Sequence, residues 1–179
     1  MASFDETTWR EEKEILRLFN PVTLFFDIRV LEEAVQRFKE RQYVIYEFDC
    51  RDYELKLKGE ILHDILLRLG LVEETEEHPN FMWFCDVLSE VEVPKESGLV
   101  LVFKHFDKFD DSFAETAQRM LQEAAKKHFQ HLQFGLRFIT LVQIDASLFH
   151  IEPIYVVKAR WNDKEARINS SPLKSRRNT

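Results

Sequence analysis

Leu99-Val100-Leu101-Val102-Phe103 is an unbroken apolar run, and Leu136 to Ile144 repeats that character after one long amphipathic segment. A short strand that is apolar at every position is one covered on both faces of its sheet. Between the two runs, Phe113, Ala117, Met120, Leu121 and Ala124 recur at helical spacing and predict a helix from about Asp111 to His131. A strand, a long helix and a second strand favour a parallel pair joined by a right-handed crossover. The expected architecture is therefore α/β, with a small parallel sheet flanked by helices and with Leu99 to Phe103 at its centre.

Working back toward the N-terminus, Ile61, Leu62, Ile65, Leu66 and Leu69 predict another helix, ended by Gly70 in the position of a C-terminal cap. Glu73-Glu74-Thr75-Glu76-Glu77 reads as a solvated acidic loop. Pro79-Asn80 then opens a short helix that turns Phe81, Phe84, Val87 and Leu88 inward, leaving Asp86 and Glu90 to point elsewhere. Tyr43 to Phe48 is rich in β-branched and aromatic residues and reads as a strand. Before it, residues 5–19 predict a helix stopped by Asn20-Pro21, Val22 to Phe26 is an apolar connection, and Val30 to Gln42 predicts a second helix. Residues 1–42 together form an expected N-terminal helical extension to a domain spanning 43–144. On the other side, residues 145–168 form a C-terminal extension in which Pro153 to Arg160 offers an extra edge strand, and residues 169–179 read as a disordered basic tail.

Hydrophobic residues at 45% and charged residues at 32% are the balance of a globular chain, and 179 residues suit one core rather than two. No apolar run approaches the roughly 20 residues of a membrane span, and Met1 to Glu6 lacks a basic segment or apolar h-region, so a cytoplasmic protein is expected with no membrane partner. Cys50 and Cys85 are far apart and outside any CxxC pattern, which reads as two small hydrophobes in a reducing compartment. The net charge of -7 conceals an asymmetry, because residues 158–179 are basic and leave residues 1–157 at about -12. Such a body repels phosphate backbones and attracts cationic proteins, so the expected partner is a basic protein and not nucleic acid.

Nothing in the sequence builds a catalytic constellation. There is no nucleophile elbow, GxGxxG or GKT loop, so no enzyme activity and no cofactor are expected. His128 and His131, one helical turn apart, lack a third ligand nearby to make a metal site. No feature sets an oligomeric state.

The order of elements from about Tyr43 to Gln143 resembles the barstar family, intracellular inhibitors that cover the active site of secreted ribonucleases. The resemblance rests on Asn80-Phe81-Met82-Trp83-Phe84-Cys85-Asp86-Val87-Leu88, on Leu99 to Phe106, and on Met120-Leu121-Gln122-Glu123-Ala124. It implies a barstar-like domain whose second helix and preceding loop form an acidic plug mimicking substrate phosphates. On that reading Asp86 is the main inhibitory carboxylate and Glu123 a supporting one. Met82, Trp83, Glu90 and the loop residues Glu76, Glu77 and His78 would supply the surrounding contact surface. The chain departs from the family at Met82, where a second helix aspartate is usual, and at Glu76-Glu77-His78, which replace an aromatic pair.

Each of these residues also has a plain explanation. Asp86 and Glu90 are the solvated face of a helix, and Glu73 to Glu77 a solvated loop. Glu123, ahead of Lys126-Lys127, fits an ordinary helix ion pair. Trp83 fits equally an aromatic contact or burial beneath the N-terminal extension. Two functions stay open at this point: an immunity-type inhibitor of a basic, bacterial ribonuclease toxin, or a non-enzymatic scaffold or regulatory module on the same fold.

Overall fold

The computed structural model describes residues 20–74, 79–109, 111–145, 159–162 and 164–165. The helix expected over 5–19, most of the edge strand expected before Arg160, and the basic tail lie outside the described residues.

Five strands, β1 (Val22–Phe25), β2 (Val44–Asp49), β3 (Leu99–Lys104), β4 (Phe138–Gln143) and β5 (Arg160–Trp161), form one all-parallel sheet in the order β2-β3-β4-β1-β5. Among the described residues four α-helices flank it: α1 (Ile28–Glu40), α2 (Lys58–Arg68), α3 (Phe81–Leu88) and α4 (Asp111–Leu132). The parallel pairing expected for the β3-α4-β4 unit is present, with Leu99 opposite Phe138 and Val102 opposite Leu141.

The central strand is β4, all six of whose residues are buried, and not the expected Leu99 to Phe103 run. The displacement has a physical cause. Val22-Thr23-Leu24-Phe25, expected only as a connection between helices, is a fully buried strand that pairs with β4, Val22 opposite Thr140, and moves the centre of the sheet one strand over. The segment before Tyr43 is thus built into the sheet, contributing β1 as well as α1.

Side-chain alternation along the strands feeds two cores. Leu99, Leu101, Phe103, Phe138 and Val142 face α2, α3 and α4, while Val100, Val102, Ile139 and Leu141 face α1. Helix α1 buries Leu31, Ala34, Val35 and Phe38 at i, i+3, i+4 and i+7, and is started by Asp27, whose carboxylate accepts from Arg29 N at 2.9 Å. Helix α2 buries Ile61, Leu62, Ile65 and Leu66 and stops at Gly70, whose φ of +73° lets Leu71 N close back on Leu66 O at 3.0 Å. On the larger core, Tyr53, Phe106, Phe109 and Phe113 form an aromatic cluster, with Phe109 and Phe113 centroids 4.7 Å apart. Each such ring, fully buried, contributes roughly 1.5–3 kcal/mol by leaving water.

Candidate functional site

The short helix α3 is held from below. Asn80 caps it by accepting from Trp83 N at 3.0 Å, and Phe84 and Leu88 sink into the core on its inner side. A period of 3.6 residues then fixes what faces out. Asp86 and Glu90 are exposed, Met82 is 76% exposed, and Trp83 and Cys85 are half-buried. Asp86 and Glu90 thus point away from the core, as expected, whereas Cys85, expected to be a small core hydrophobe, is only half-buried.

Helix α4 supplies the other wall. The Arg119 guanidinium lies 4.1 Å over the Phe81 ring, and Phe81 stacks on Phe84, so α3 is tied to α4 through an aromatic pair. Between the helices sits Cys85. Burial pushes its thiol up to about 11, with the carboxylates of Glu123 and Asp86 adding to the rise and Arg119 and Lys126 opposing it. Asp86 and Glu123, far apart in sequence, therefore act on one common neighbour. That thiol stays protonated and unreactive near neutrality.

The charge of this surface is mixed. Glu123 Oε1 receives Lys126 Nζ at 2.5 Å, and Lys127 beside it is nearly buried, its amine lowered by that burial while Glu123 acts the other way. Asp86 on α3 and Glu90 just past its end face outward, and the cations belong to α4. Glu76, Glu77 and His78 lie outside the described residues, while Glu73 and Glu74, just before them, are exposed.

A second polar cluster lies at the carboxyl ends of the strands. His105, in left-handed backbone with φ +52°, donates from Nδ1 to Asp145 Oδ2 at 2.8 Å. Gln143 donates to Asp145 Oδ1 and to Phe26 O, and its own carbonyl accepts from His105 N. Burial raises the Asp145 carboxyl, but the hydrogen bonds from His105 and Gln143 prevail and hold it below its ordinary value. These bonds lace β1, β3 and β4 together. Beside them Glu165, 4% exposed, accepts from Phe26 N and Asp27 N, clamping the C-terminal segment to the start of α1.

His128 and His131 do not converge on a common ligand position. His128 donates from Nδ1 to Phe138 O at 2.7 Å, and His131 stacks on Phe138. Among the described residues no group of three or more His, Cys, Asp or Glu side chains comes together to hold a metal ion, and no helix is long and apolar enough to cross a membrane.

Two features escaped the sequence reading. Leu55 and Leu57, at 98% and 73% exposure, project from the turn before α2. The alternation Glu54-Leu55-Lys56-Leu57-Lys58 was their signal, since apolar residues spaced by two between charges match neither a buried strand nor a helix face. The other feature is an open groove of about 740 Å³ beside β2, lined by β2, the α2 C-terminus and residues 90–94. Three separate segments build it, so no local pattern announces it. No protein-family model matches the chain, and no curated protein shows significant similarity to it.

Proposed function

We propose that this chain is a non-enzymatic protein-binding module, an immunity-type inhibitor of barstar-like character that occludes the active site of a basic ribonuclease. The observation that carries this reading is Asp86: an exposed carboxylate on a helix locked from beneath by Phe84 and Leu88, with Glu123 on the neighbouring helix. A carboxylate held on a rigid support meets Arg and Lys side chains with charge-assisted hydrogen bonds at little entropic cost. Met82 and Trp83 form the apolar surround that such a contact needs to exclude water. Occlusion requires no chemistry from the inhibitor and no cofactor. The acidic body steers the partner inward, so association slows as salt shortens the reach of its field to about 8 Å at physiological ionic strength.

The alternative is a scaffold or regulatory module on the same fold. It is favoured by the ion pair that already occupies Glu123 and by the exposed leucines, which suit an apolar partner better than a cationic active site.

The test is a titration of a basic ribonuclease with this protein, following RNA cleavage, with Asp86→Ala alongside. Stoichiometric inhibition that Asp86→Ala weakens at least tenfold is the expected result. Full folding of the protein with no inhibition of any ribonuclease encoded beside it rejects the inhibitor reading in favour of the scaffold.

A further inference from the structure

Among the described residues strand β2 is an edge of the sheet, paired with β3 alone. Val44 N donates to Gly98 O, and in a parallel ladder both backbone groups of alternate residues point to the same neighbour. Val44, Tyr46 and Phe48 therefore bond toward β3, while Ile45 and Glu47 turn their N–H and C=O outward. Glu47 O is taken by the Arg68 guanidinium. The N–H and C=O of Ile45 and the N–H of Glu47 take no bond from the described residues outside the sheet.

The groove lies along this same half of the strand. Val44 and Tyr46 contribute from β2, Leu71 and Val93 from the facing segments, and Glu90 and Glu92 provide its carboxylates. Both glutamates are exposed and neither has an ion-pair partner among the described residues. The cations nearest along the strand are otherwise engaged: Lys39 and Lys104 on the Glu47 carboxylate, Arg68 on its carbonyl.

We propose that this groove receives an extended segment of a basic partner protein, added to the sheet beside β2, whose groove-facing side chains, every second residue, combine apolar groups for Tyr46 and Val93 with a cation for Glu90 and Glu92. Backbone pairing with Ile45 and Glu47 N–H supplies affinity, and the side-chain pockets supply selectivity. Arg68 ends the added strand at Glu47 O, which fixes its register and keeps it short. Glu90 lies just past the C-cap Ser89 of α3, so the inference rests on the protein-binding reading and extends that interface around the edge of the sheet.

The experiment uses the full chain, labelled with nitrogen-15, and three capped hexapeptides: Val-Ser-Lys-Ser-Val-Ser, which carries its valines and lysine on one face, the same peptide with Glu in place of Lys, and the first peptide N-methylated at every second residue. The lysine peptide is expected to slow amide exchange at Ile45 and Glu47 at least tenfold. The glutamate and N-methylated peptides are expected to leave that exchange unchanged, and Glu90→Gln with Glu92→Gln to weaken binding several-fold. Resonance shifts confined to Met82 and Asp86, or none at β2 with millimolar peptide, overturn the groove. Loss of ribonuclease inhibition is read separately through Asp86→Ala, so a negative result there sinks the inhibitor and leaves the groove to stand or fall on its own spectrum.

Discussion

Glu123 and Lys126 are joined at 2.5 Å across one turn of α4, which leaves one carboxylate of the candidate surface already neutralised by its own helix. The pair is partly buried at the surface, where ion pairs within one helix contribute only about 0–1 kcal/mol to stability. Lys126→Ala is therefore expected to leave the urea midpoint nearly unchanged while freeing the Glu123 charge. In stopped-flow measurements the variant should associate with a basic ribonuclease several-fold faster than the parent, with the gap closing as salt rises. Slower association would mean that Lys126 itself faces the partner.

A glycine at the mouth of β3 has no substitute. Gly98 has φ +121°, and a methyl group there would come within 2.6 Å of Tyr43 Cε1 and 2.8 Å of the Arg137 carbonyl oxygen. The tyrosine ring can shift, but the backbone oxygen cannot. Gly98→Ala is expected to cost at least about 1–3 kcal/mol, seen as a lowered urea midpoint at unchanged slope. An unchanged midpoint would show that this corner relaxes freely.

Burial lowers the affinity of His128 for a proton, although the Phe138 carbonyl that accepts its Nδ1–H acts the other way. The folded value lies below the unfolded one of about 6.5, so the unfolded chain binds the extra proton first. This contribution to stability is complete above about pH 6.5 and is lost as the pH falls from there toward the folded value. His131, lowered by burial and then by Lys127, adds in the same direction. Urea midpoints for the parent should drop below pH 6.5 more steeply than those of His128→Asn, which keeps an N–H donor but does not titrate. Parallel profiles would assign the acid sensitivity elsewhere.

The Glu165 carboxylate accepts from Phe26 N at 3.0 Å and Asp27 N at 2.6 Å while itself buried. Glu165→Ala strands two backbone donors at the end of β1, a loss of about 1–3 kcal/mol for each buried group left unpaired. Calorimetry should show the lower midpoint, and amide exchange at Phe26 and Asp27 should quicken. Protection unchanged at both amides would mean that water replaces the carboxylate without cost.

The elements read most directly from sequence are those whose period runs long enough to be seen. Helix α4 and helix α2 each repeat an apolar stripe over several turns, and Gly70 marks its stop without ambiguity. Strands β2, β3 and β4 are mostly apolar or β-branched, interrupted by Glu47 and Asp49 in β2 and by a single polar residue at the end of β3 and of β4. Strand β1 is different, because four residues contain no period to count and its partner β4 lies near the far end of the chain. The sheet order was invisible for the same reason. Within the site, the outward faces of Asp86, Glu90 and Met82 followed from the inward pull of Phe84 and Leu88. The pairing of Glu123 was also open to view in the spacing of Glu123 and Lys126. What could not be seen was the groove, since Tyr46, Leu71 and Val93 become neighbours only after three segments have folded.

The place of β1 between β4 and β5 sets a timetable for synthesis. A ribosome delivers Val22 to Phe25 early, but the strand against which they pair is made only after α4 has emerged, and the Glu165 clamp later still. Until then the nascent chain carries a sticky apolar segment with nowhere to go. The earliest of the five strands is the one inserted between β4 and β5, so a rearranged gene that begins at Tyr43 and rejoins Glu165 to Asn20 through a linker would bring β1 out after β4 and shorten that exposed interval.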